Sequence, residues 1–348
     1  QRFYAKYLEM RPTIITGWNV DGFDIPYLYN RAQQIVGKNI ADCLSPVSKV
    51  YWNKYREKYM IAGVSCLDYL MLYKNFTFSS KPSYRLDDIG QSEVGTSKIS
   101  YDGTLNDLYE NHLEDFVKYN IHDVRIVKKL DDKLDFIDVA RGICHVGHVP
   151  YEDIVYDSRF LEGAILVYLK KLGVVAPNKT PRDDEKKDGK FAGAYVQDPQ
   201  KGRHDWVYDL DITSMYPSII MSLNVSPETK IGKVIGWDPE EFIRGKNKTY
   251  SIYMNDKKKG QFTEIELKEY FDNNQVSISN NGIIYRTDKL GLIPTLLSEW
   301  FDKRTEYRKL AKKFSDEGDE DQAGYFNRRQ HIQKIVLNSM YGVLGLPV

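Results

Sequence analysis

Cysteine is scarce in this chain of 348 residues, with Cys43, Cys66 and Cys144 as the only three and no CxxC pair among them. This spacing argues against a zinc ribbon and against a disulfide framework, and it is typical of a reducing compartment. The sequence also has no run of 18 apolar residues, so we predict no membrane-spanning helix and no membrane partner. It does not open with a signal-peptide pattern.

An excess of charge of either sign is also missing, because 49 Lys and Arg residues face 49 Asp and Glu residues. Net charge therefore says nothing about partners, and only local clusters of charge can. Hydrophobic residues make up 42% and charged residues 28%, which is typical of a globular chain with room for two or three domains. The first residue is Gln1 rather than Met. We therefore expect a fragment or one half of a split protein.

Strand and helix patterns alternate in the first part of the chain. Residues 12–16 predict a short buried strand, and a Gly-rich turn and an amphipathic helix follow it. Residues 63–76 predict a strand and then a helix, and residues 105–139 are strongly helical in pattern. This alternation predicts an α/β region.

The second part of the chain has a different pattern. A charged segment with two prolines at 176–190 predicts a linker, and residues 206–212 predict a strand that opens a second region. Residues 244–262 are polar and Lys-rich, and they predict an exposed excursion. Residues 296–314 and 322–341 are two helical patterns joined by an acidic turn, and they predict a long antiparallel helical hairpin.

Two carboxylates stand out in the α/β region. Asp24, in "NVDGFD", lies where a strand turns into a helix, and it either caps that helix or binds a metal ion. Tyr119 and Asp123 are four residues apart in a helix and share a face, although an exposed Asp on a polar helix face is the alternative. Taken together, carboxylates on two elements predict a site for a pair of divalent ions that cleaves phosphodiesters.

A third carboxylate opens the second region, in "DLDITSMYPSII" at 209–220. Asp211 ends the predicted strand, and the N–H groups of the turn that follows can hold a triphosphate. Tyr216 would then lie flat beside the sugar and leave no room for a 2′-hydroxyl. The alternative is a β-turn that Asp211 caps.

The helical hairpin carries a cationic face. Lys334, Asn338 and Tyr341 are spaced i, i+4 and i+7, which places a cation, an amide and a ring on one side of the helix. Gly342 would allow a nucleotide base to approach closely. Arg304 and Arg308, one turn apart on the partner helix, form a basic stripe that suits phosphate. The alternative is an ordinary solvated face.

In this order, "GWNVDGFD", "YNIHDV", "DLDITSMYPSII" and "KIVLNSMYG" resemble the motifs of the family B DNA polymerases, most closely the T-even-type tailed-phage branch. "LNVSPET" and "DGKFAGAYVQDP" resemble the same branch. The resemblance covers nearly the whole chain. It implies a partial RNase H-like 3′→5′ exonuclease domain (1–135), a connecting segment that returns to the N-terminal domain (136–182), a partial palm (183–290) and helical fingers (291–348).

The resemblance also implies roles for single residues. Asp24, Asp123 and Tyr119 would form the exonuclease site, and Asp211 with the Ile212 carbonyl would bind metal in the polymerase site. Each site would take two Mg²⁺ or Mn²⁺ ions. The residues implied to bind the nucleotide are Ile212, Ser214, Met215, Tyr216, Arg304, Arg308, Lys334 and Asn338. Those implied to contact DNA are Gly193, Tyr195, Tyr341 and Gly342.

Two motifs of the family are absent from this sequence. The Asp-x-Glu of the exonuclease does not occur ahead of Asp24, and the Asp-Thr-Asp of the polymerase site does not occur at all. We therefore expect the chain alone neither to extend nor to degrade DNA efficiently.

The implied activity is template-directed transfer of dNMP to a primer 3′-hydroxyl, with proofreading. One half of a split polymerase, an inactive DNA-binding module and an autonomous nuclease are the alternatives. The implied partners are primer–template DNA and dNTPs, with a sliding clamp and a second polymerase chain as further ones. The implied location of such a viral replication protein is the host cytoplasm.

Overall fold

The computed structural model describes residues 2–77, 80–101, 103–178, 195–212, 214–245, 248–255 and 257–344. The chain divides into two compact units, Gln1–Val167 and Tyr168–Val348. Gly193 and most of the predicted linker lie outside the described residues. No helix in the described ranges is both long and apolar enough to cross a membrane. The three boundaries between the four domains predicted from the sequence stay predictions.

Helices dominate the first unit. Its elements, the last of which runs to residue 171, are α1 (Arg2–Met10), β1 (Ile14–Gly17), α2 (Ile25–Val36), α3 (Lys38–Ala41), β2 (Val50–Asn53), β3 (Lys58–Ile61), β4 (Ser65–Asp68), α4 (Tyr69–Phe76), α5 (Leu86–Val94), α6 (Leu105–Asn111), α7 (Leu113–Leu134), α8 (Phe136–Gly147) and α9 (Asp157–Lys171). The strands and helices predicted at 12–16, 63–76 and 105–139 are confirmed.

Two parallel strands in the first unit place the turn after β1 next to the start of α4. β1 pairs with β4, from Ile14 opposite Ser65 to Gly17 opposite Asp68. Parallel strands end at the same edge of a sheet, so the turn after β1 lies beside the start of α4. The buried side chains of Ile25, Tyr29 and Ala32 pack α2 into the core below this edge.

The second unit combines an antiparallel sheet with a helical hairpin. Its elements are α10 (Met215–Leu223), β5 (Lys230–Ile235), α11 (Pro239–Arg244), β6 (Thr249–Met254), β7 (Lys257–Thr263), α12 (Glu264–Asn274), β8 (Val276–Ile278), β9 (Ile283–Arg286), α13 (Leu292–Asp316) and α14 (Glu320–Leu344). The sheet has the strand order β7-β6-β5-β9-β8. The predicted hairpin is confirmed, because α13 and α14, 25 residues each, pack together.

The exposed excursion predicted at 244–262 is wrong. This segment supplies β6 and β7, and Tyr250 and Ile252 are fully buried in the core of the sheet. The lysines that suggested exposure, Lys257, Lys258 and Lys259, lie on β7, an edge strand, and they are exposed. Lysines on an edge strand are common because they prevent the edge from pairing with another chain.

The strand predicted at 206–212 is also wrong. The segment has no regular secondary structure, and no described strand pairs with it. Its apolar side chains are exposed, with Tyr208 at 82% and Leu210 at 84%. An alternating pattern forms a strand only where another strand supplies hydrogen-bond partners. Asp211 therefore does not end a strand in this structure.

One buried side chain joins α10, the sheet and the hairpin. Asn224, 3% exposed, follows α10 and donates from Nδ2 to the carbonyls of Arg286 (2.7 Å) and Lys289 (2.9 Å). Its Oδ1 accepts the N–H of Gly291 (2.8 Å), the residue before α13. Glu228 from the same loop accepts the N–H of Leu292. The loop after α10 therefore sets where the hairpin begins.

We expect Asn224→Ala to lower the free energy of unfolding by about 2–3 kcal/mol, because two carbonyls and one N–H lose their partner. The matched control is Asn273→Ala, at an exposed position of α12, which should change it by less than about 0.5 kcal/mol. Urea denaturation followed by far-UV circular dichroism measures both. Equal effects at the two positions would contradict this role of Asn224.

Candidate active sites

Asp24 is placed by a turn of π-helix, Val20–Asp24, which follows β1. Asn19 starts the turn in the left-handed conformation, with φ of 63°, and its carbonyl accepts the N–H groups of both Gly22 (3.2 Å) and Phe23 (3.1 Å). The carboxylate of Asp24 makes no capping hydrogen bond to α2, which has a proline in its first turn. The capping alternative for Asp24 is therefore wrong, and its exposed carboxylate is left for another role.

A cleft of about 1700 Å³ in the first unit brings the predicted residues together. The turn contributes Asp24, and α7 contributes Tyr119 and Asp123, which face the same space from the other element. The sequence spacing of four residues predicted that Tyr119 and Asp123 share a face, and the structure agrees. Their proximity to Asp24 depends on packing between distant parts of the chain.

Lys98 lines the same cleft and is a candidate site residue that the sequence did not reveal. It precedes α6 in a segment without regular structure, and its Nζ donates to Asp123 Oδ2 (2.6 Å) and to the Tyr119 hydroxyl (3.1 Å). Burial by itself would lower the pKa of Lys98, but the hydrogen bonds to Asp123 and Tyr119 raise it overall. A firmly charged ammonium group therefore neutralises Asp123. No periodicity marks Lys98, because only the fold brings it to α7.

The two carboxylates differ in their surroundings. Asp24 makes no ion pair among the described residues, and desolvation at the cleft wall raises the pKa of its carboxyl. Asp123 is paired through Oδ2, while its Oδ1 is buried and has no hydrogen-bond partner in the described part of the chain. A cation bound between such oxygens would offset both the desolvation of Asp24 and the missing hydrogen bond of Asp123 Oδ1.

The donor set fits a hard, hydrated cation. Within the ranges that the structure describes, no group of three or more His, Cys, Asp and Glu side chains is placed to hold a metal ion. Mg²⁺ is usually held by one or two carboxylates and keeps several waters, and Asp24 and Asp123 are ligands of this kind on the wall of one cleft. A site for zinc or another soft metal would require nitrogen or sulfur ligands.

The second unit has a separate cluster around the start of α10. Ser214 lies just before this helix in the left-handed conformation (φ 53°), and its Oγ accepts a hydrogen bond from Arg304 Nη1 of α13 (3.3 Å). Met215 is the first helical residue. The free N–H groups of a helix N-terminus and a guanidinium therefore lie side by side, which suits an anion.

Two tyrosines from distant parts of the sequence stack beside this cluster. The rings of Tyr216, on α10, and Tyr341, on α14, lie 3.9 Å apart between centroids with an angle of 14° between their planes. Both remain partly exposed, at 39% and 48%. Gly342 borders open space, since a Cβ there would meet nothing within 4 Å. The surface is therefore flat, aromatic and accessible.

The charge around Arg304 is positive. Desolvation first and Arg308 second lower the pKa of Arg304, and no carboxylate contributes. Its Nε is buried without a hydrogen-bond partner among the described residues. Burial, Lys334 and Arg304 all lower the pKa of His331, which shows that these cations are close to one another. Such a cluster is stabilised by a bound anion.

Other predicted residues lie apart from this cluster or beside it. Asp211 and Ile212 are exposed, and no described contact connects them to Arg304 or Tyr216. Tyr195 is 87% exposed, and Gly193 lies outside the described residues. Asn338 is exposed on α14, one turn after Lys334. The structure therefore joins Ser214 to Arg304 and Tyr216 to Tyr341, and the roles of all the predicted site residues stay predictions.

Comparison with known proteins gives two family matches. Residues 157–348 match DNA polymerase family B, and residues 1–89 match the exonuclease domain of DNA polymerase family B. The DNA-directed DNA polymerase of Enterobacteria phage T4 is 33% identical over 315 residues, which cover 89% of this chain and 32% of that protein. The polymerase of Escherichia phage RB69 is 33% identical over 313 residues, 88% of this chain and 32% of its own length. The chain thus spans about a third of the length of these relatives.

The fold has a counterpart of known structure. The family B DNA polymerase from the hyperthermophilic archaeon Pyrobaculum calidifontis superimposes with a TM-score of 0.66 at 22% identity. The match covers 99% of this chain and 40% of that one. This likeness supports the fold described above.

We expect Lys98→Met to raise the affinity of the first unit for Mn²⁺ about five- to tenfold, because the ammonium no longer competes for Asp123. Lys81→Met is the matched control, since Lys81 is equally shielded in an ion pair with Glu93 outside the cleft. Electron paramagnetic resonance of free Mn²⁺ measures both affinities. Unchanged binding in Lys98→Met would show that the ammonium and the metal ion do not compete.

Proposed function

This chain belongs to the family B DNA polymerases, and we propose that its second unit binds an incoming dNTP for template-directed transfer to a primer 3′-hydroxyl. The observation that carries the proposal is the joining of two separated motifs. Tyr216 stacks on Tyr341, and Ser214, two residues before Tyr216, accepts a hydrogen bond from Arg304. Together they place cations, helix N–H groups and aromatic faces on one accessible surface.

Within this proposal the cations hold the phosphates of the nucleotide. Arg304 and Arg308 on α13 would bind phosphate oxygens with their planar, multiply donating heads. Lys334 and Asn338, one turn apart on α14, would approach from the other helix. The N–H groups at Ser214 and Met215 would hold the remaining oxygens at the start of α10.

The aromatic part of the surface would read the sugar and the base. Tyr216 would lie against the sugar and exclude a 2′-hydroxyl by its bulk, so that deoxyribonucleotides are preferred. Tyr341 would lie under the new base pair, and the open space at Gly342 would let the base approach. The ring stack fixes Tyr216 in place, which a selective steric filter requires.

We place the catalytic carboxylate of the transfer reaction at Asp211, with the Ile212 carbonyl as a second oxygen ligand. These are the ligands that Mg²⁺ or Mn²⁺ prefers. Two divalent ions, when bound, would stabilise charge on the attacking and leaving oxygens. The chain's own part is to orient the nucleotide through Arg304, Lys334 and Tyr216.

The first unit, in the same proposal, supplies part of a site that hydrolyses phosphodiester bonds at a 3′ end, and the Asp-x-Glu carboxylates of that site do not occur ahead of Asp24 in this sequence. Asp24 and Asp123 would hold two divalent ions, and the Tyr119 hydroxyl would orient the attacking water. Lys98 donates hydrogen bonds to both Tyr119 and Asp123, and its charge would neutralise Asp123 before the ions bind. Gly193 and Tyr195 would contact the template strand between the two activities.

The partners in this proposal are primer–template DNA and dNTPs. The likeness to two phage polymerases supports a viral replication protein, which would act in the host cytoplasm. A sliding clamp and a second polymerase chain stay predictions from the sequence. One half of a split polymerase and an inactive DNA-binding module are the alternative functions.

We expect Arg304→Gln to weaken binding of dATP by about tenfold, because a charge-assisted contact to phosphate is lost. Lys303→Gln, at the exposed neighbouring position of α13, removes the same charge and should leave the affinity within a factor of two. Isothermal titration calorimetry with Mg²⁺ measures both. Equal losses in the two variants would point to non-specific attraction and overturn the assignment of Arg304.

For the activity itself we expect little primer extension from this chain alone, and extension when a second chain supplies the Asp-Thr-Asp motif. The assay contains labelled primer–template, Mg²⁺ and dNTPs. Asp211→Ala should abolish extension by the mixture, whereas Asp209→Ala, two residues earlier, should retain it. Efficient extension by the chain alone would refute the expectation that a second carboxylate source is needed.

A further inference from the structure

A buried carboxylate behind the turn that carries Asp24 has no role in the chemistry described so far. Asp68 ends β4 and is 5% exposed. Its Oδ1 accepts the N–H of Asn19 (2.9 Å) and the N–H of Leu70 (3.0 Å), and its Oδ2 accepts the N–H of Asp21 (3.2 Å). Three backbone N–H groups from two segments of the chain therefore meet on one side chain.

Neither of the two ordinary roles of such a residue accounts for these contacts. Capping of α4 explains only the bond from Leu70, because Asn19 and Asp21 are about 50 residues away along the chain. A metal ligand would need a free oxygen that faces the cleft. Asp68 instead borders a separate cavity of about 230 Å³ and is not among the residues that line the cleft with Asp24.

The contacts of Asp68 lie at the start of the turn that ends at Asp24. Asn19 and Asp21 are the residues at which the π-helical turn begins, and Asp24 is the residue at which it ends. The turn has little freedom inside, because the carbonyl of Asn19 accepts the N–H groups of both Gly22 (3.2 Å) and Phe23 (3.1 Å). A displacement of Asn19 and Asp21 is therefore passed on to Asp24.

A second contact holds the same turn from its other side. Asp21 Oδ2 accepts a hydrogen bond from Lys58 Nζ of β3 at 2.5 Å. The backbone of the turn is thus fixed by Asp68, and its side chain by Lys58. The carboxylate of Asp24 itself has no capping bond, so its direction depends on these two anchors.

We propose that Asp68 is a positioning residue for the first unit's site, which holds the turn Val20–Asp24 so that Asp24 faces Asp123 across the cleft. The proposal rests on the proposed hydrolytic function only where it concerns metal binding. Its geometric part, that Asp68 fixes the turn, stands on the three hydrogen bonds. Hydrogen exchange measures whether Asp68 fixes the turn, and Mn²⁺ binding measures whether the fixed turn serves the site.

The variant that isolates this role is Asp68→Ser, because serine still caps α4 but is too short to reach the turn. Asp68→Asn, which keeps the shape of the side chain, is the second variant in case serine destabilises the unit. The control is Asp42→Asn, which makes the same change of carboxylate to amide elsewhere in the unit, at the acceptor of the Tyr29 hydroxyl (2.6 Å).

Hydrogen exchange followed by mass spectrometry tests the geometric part. We expect peptides that cover residues 18–24 to exchange at least tenfold faster in both Asp68 variants and at the normal rate in Asp42→Asn. Faster exchange throughout the unit would show a general stabilising role, and normal exchange in the turn would show no role. Either result overturns the proposal.

Binding of Mn²⁺, measured by electron paramagnetic resonance, tests the link to the site. We expect both Asp68 variants to lose about as much affinity as Asp24→Asn, and Asp42→Asn to lose none. Weakened exchange protection together with unchanged Mn²⁺ affinity would overturn the positioning role. If the unchanged chain bound no Mn²⁺, the hydrolytic function would fail, and the exchange result would still decide whether Asp68 fixes the turn.

Discussion

The site in the second unit depends on the buried amide of Asn224. α10 carries Tyr216, and the hairpin carries Arg304 and Tyr341, so the site exists only while these helices keep their relative positions. Asn224 uses its three hydrogen bonds to hold the end of α10 against Arg286, Lys289 and Gly291, in the segment that leads into α13. A slip of one residue turns a helix by about 100° and moves it by about 1.5 Å, which would separate the stacked rings.

In the first unit, too, a buried polar side chain holds neighbouring elements in position, but it is a carboxylate rather than an amide. Asp68 satisfies three N–H groups at the end of two parallel strands, as Asn224 satisfies two carbonyls and an N–H. An unpaired buried polar group costs about 1–3 kcal/mol, so each of these side chains favours one arrangement of its neighbours over all others. In both units the side chains of the candidate site are exposed or half-buried, and the polar residues that fix the neighbouring backbone are buried.

Local patterns in the sequence predicted what depends on local geometry. The helical hairpin, the shared face of Tyr119 and Asp123 and the turn before Asp24 all follow from spacing along one element. Lys98 and Asp68 have no such signal, because the α7 partners of Lys98 lie 21 and 25 residues away and the partners of Asp68 in the turn lie 47 and 49 residues away. Only the fold brings them together. The two wrong predictions have the same origin. Residues 206–212 have an alternating pattern, but no described strand pairs with them. The segment 244–262 has a polar composition, but Tyr250 and Ile252 are buried in the core of the sheet.

The balance of 49 basic against 49 acidic residues conceals two sites of opposite character. The first unit gathers carboxylates, which repel an anion such as phosphate unless a cation neutralises them. Lys98 supplies one such cation at Asp123. The second unit gathers cations around Arg304, whose pKa burial lowers and whose Nε has no hydrogen-bond partner among the described residues. A guanidinium stays charged even so. A bound anion would offset the cost of this partly buried charge, so the unoccupied arrangement of Arg304 favours an anionic ligand.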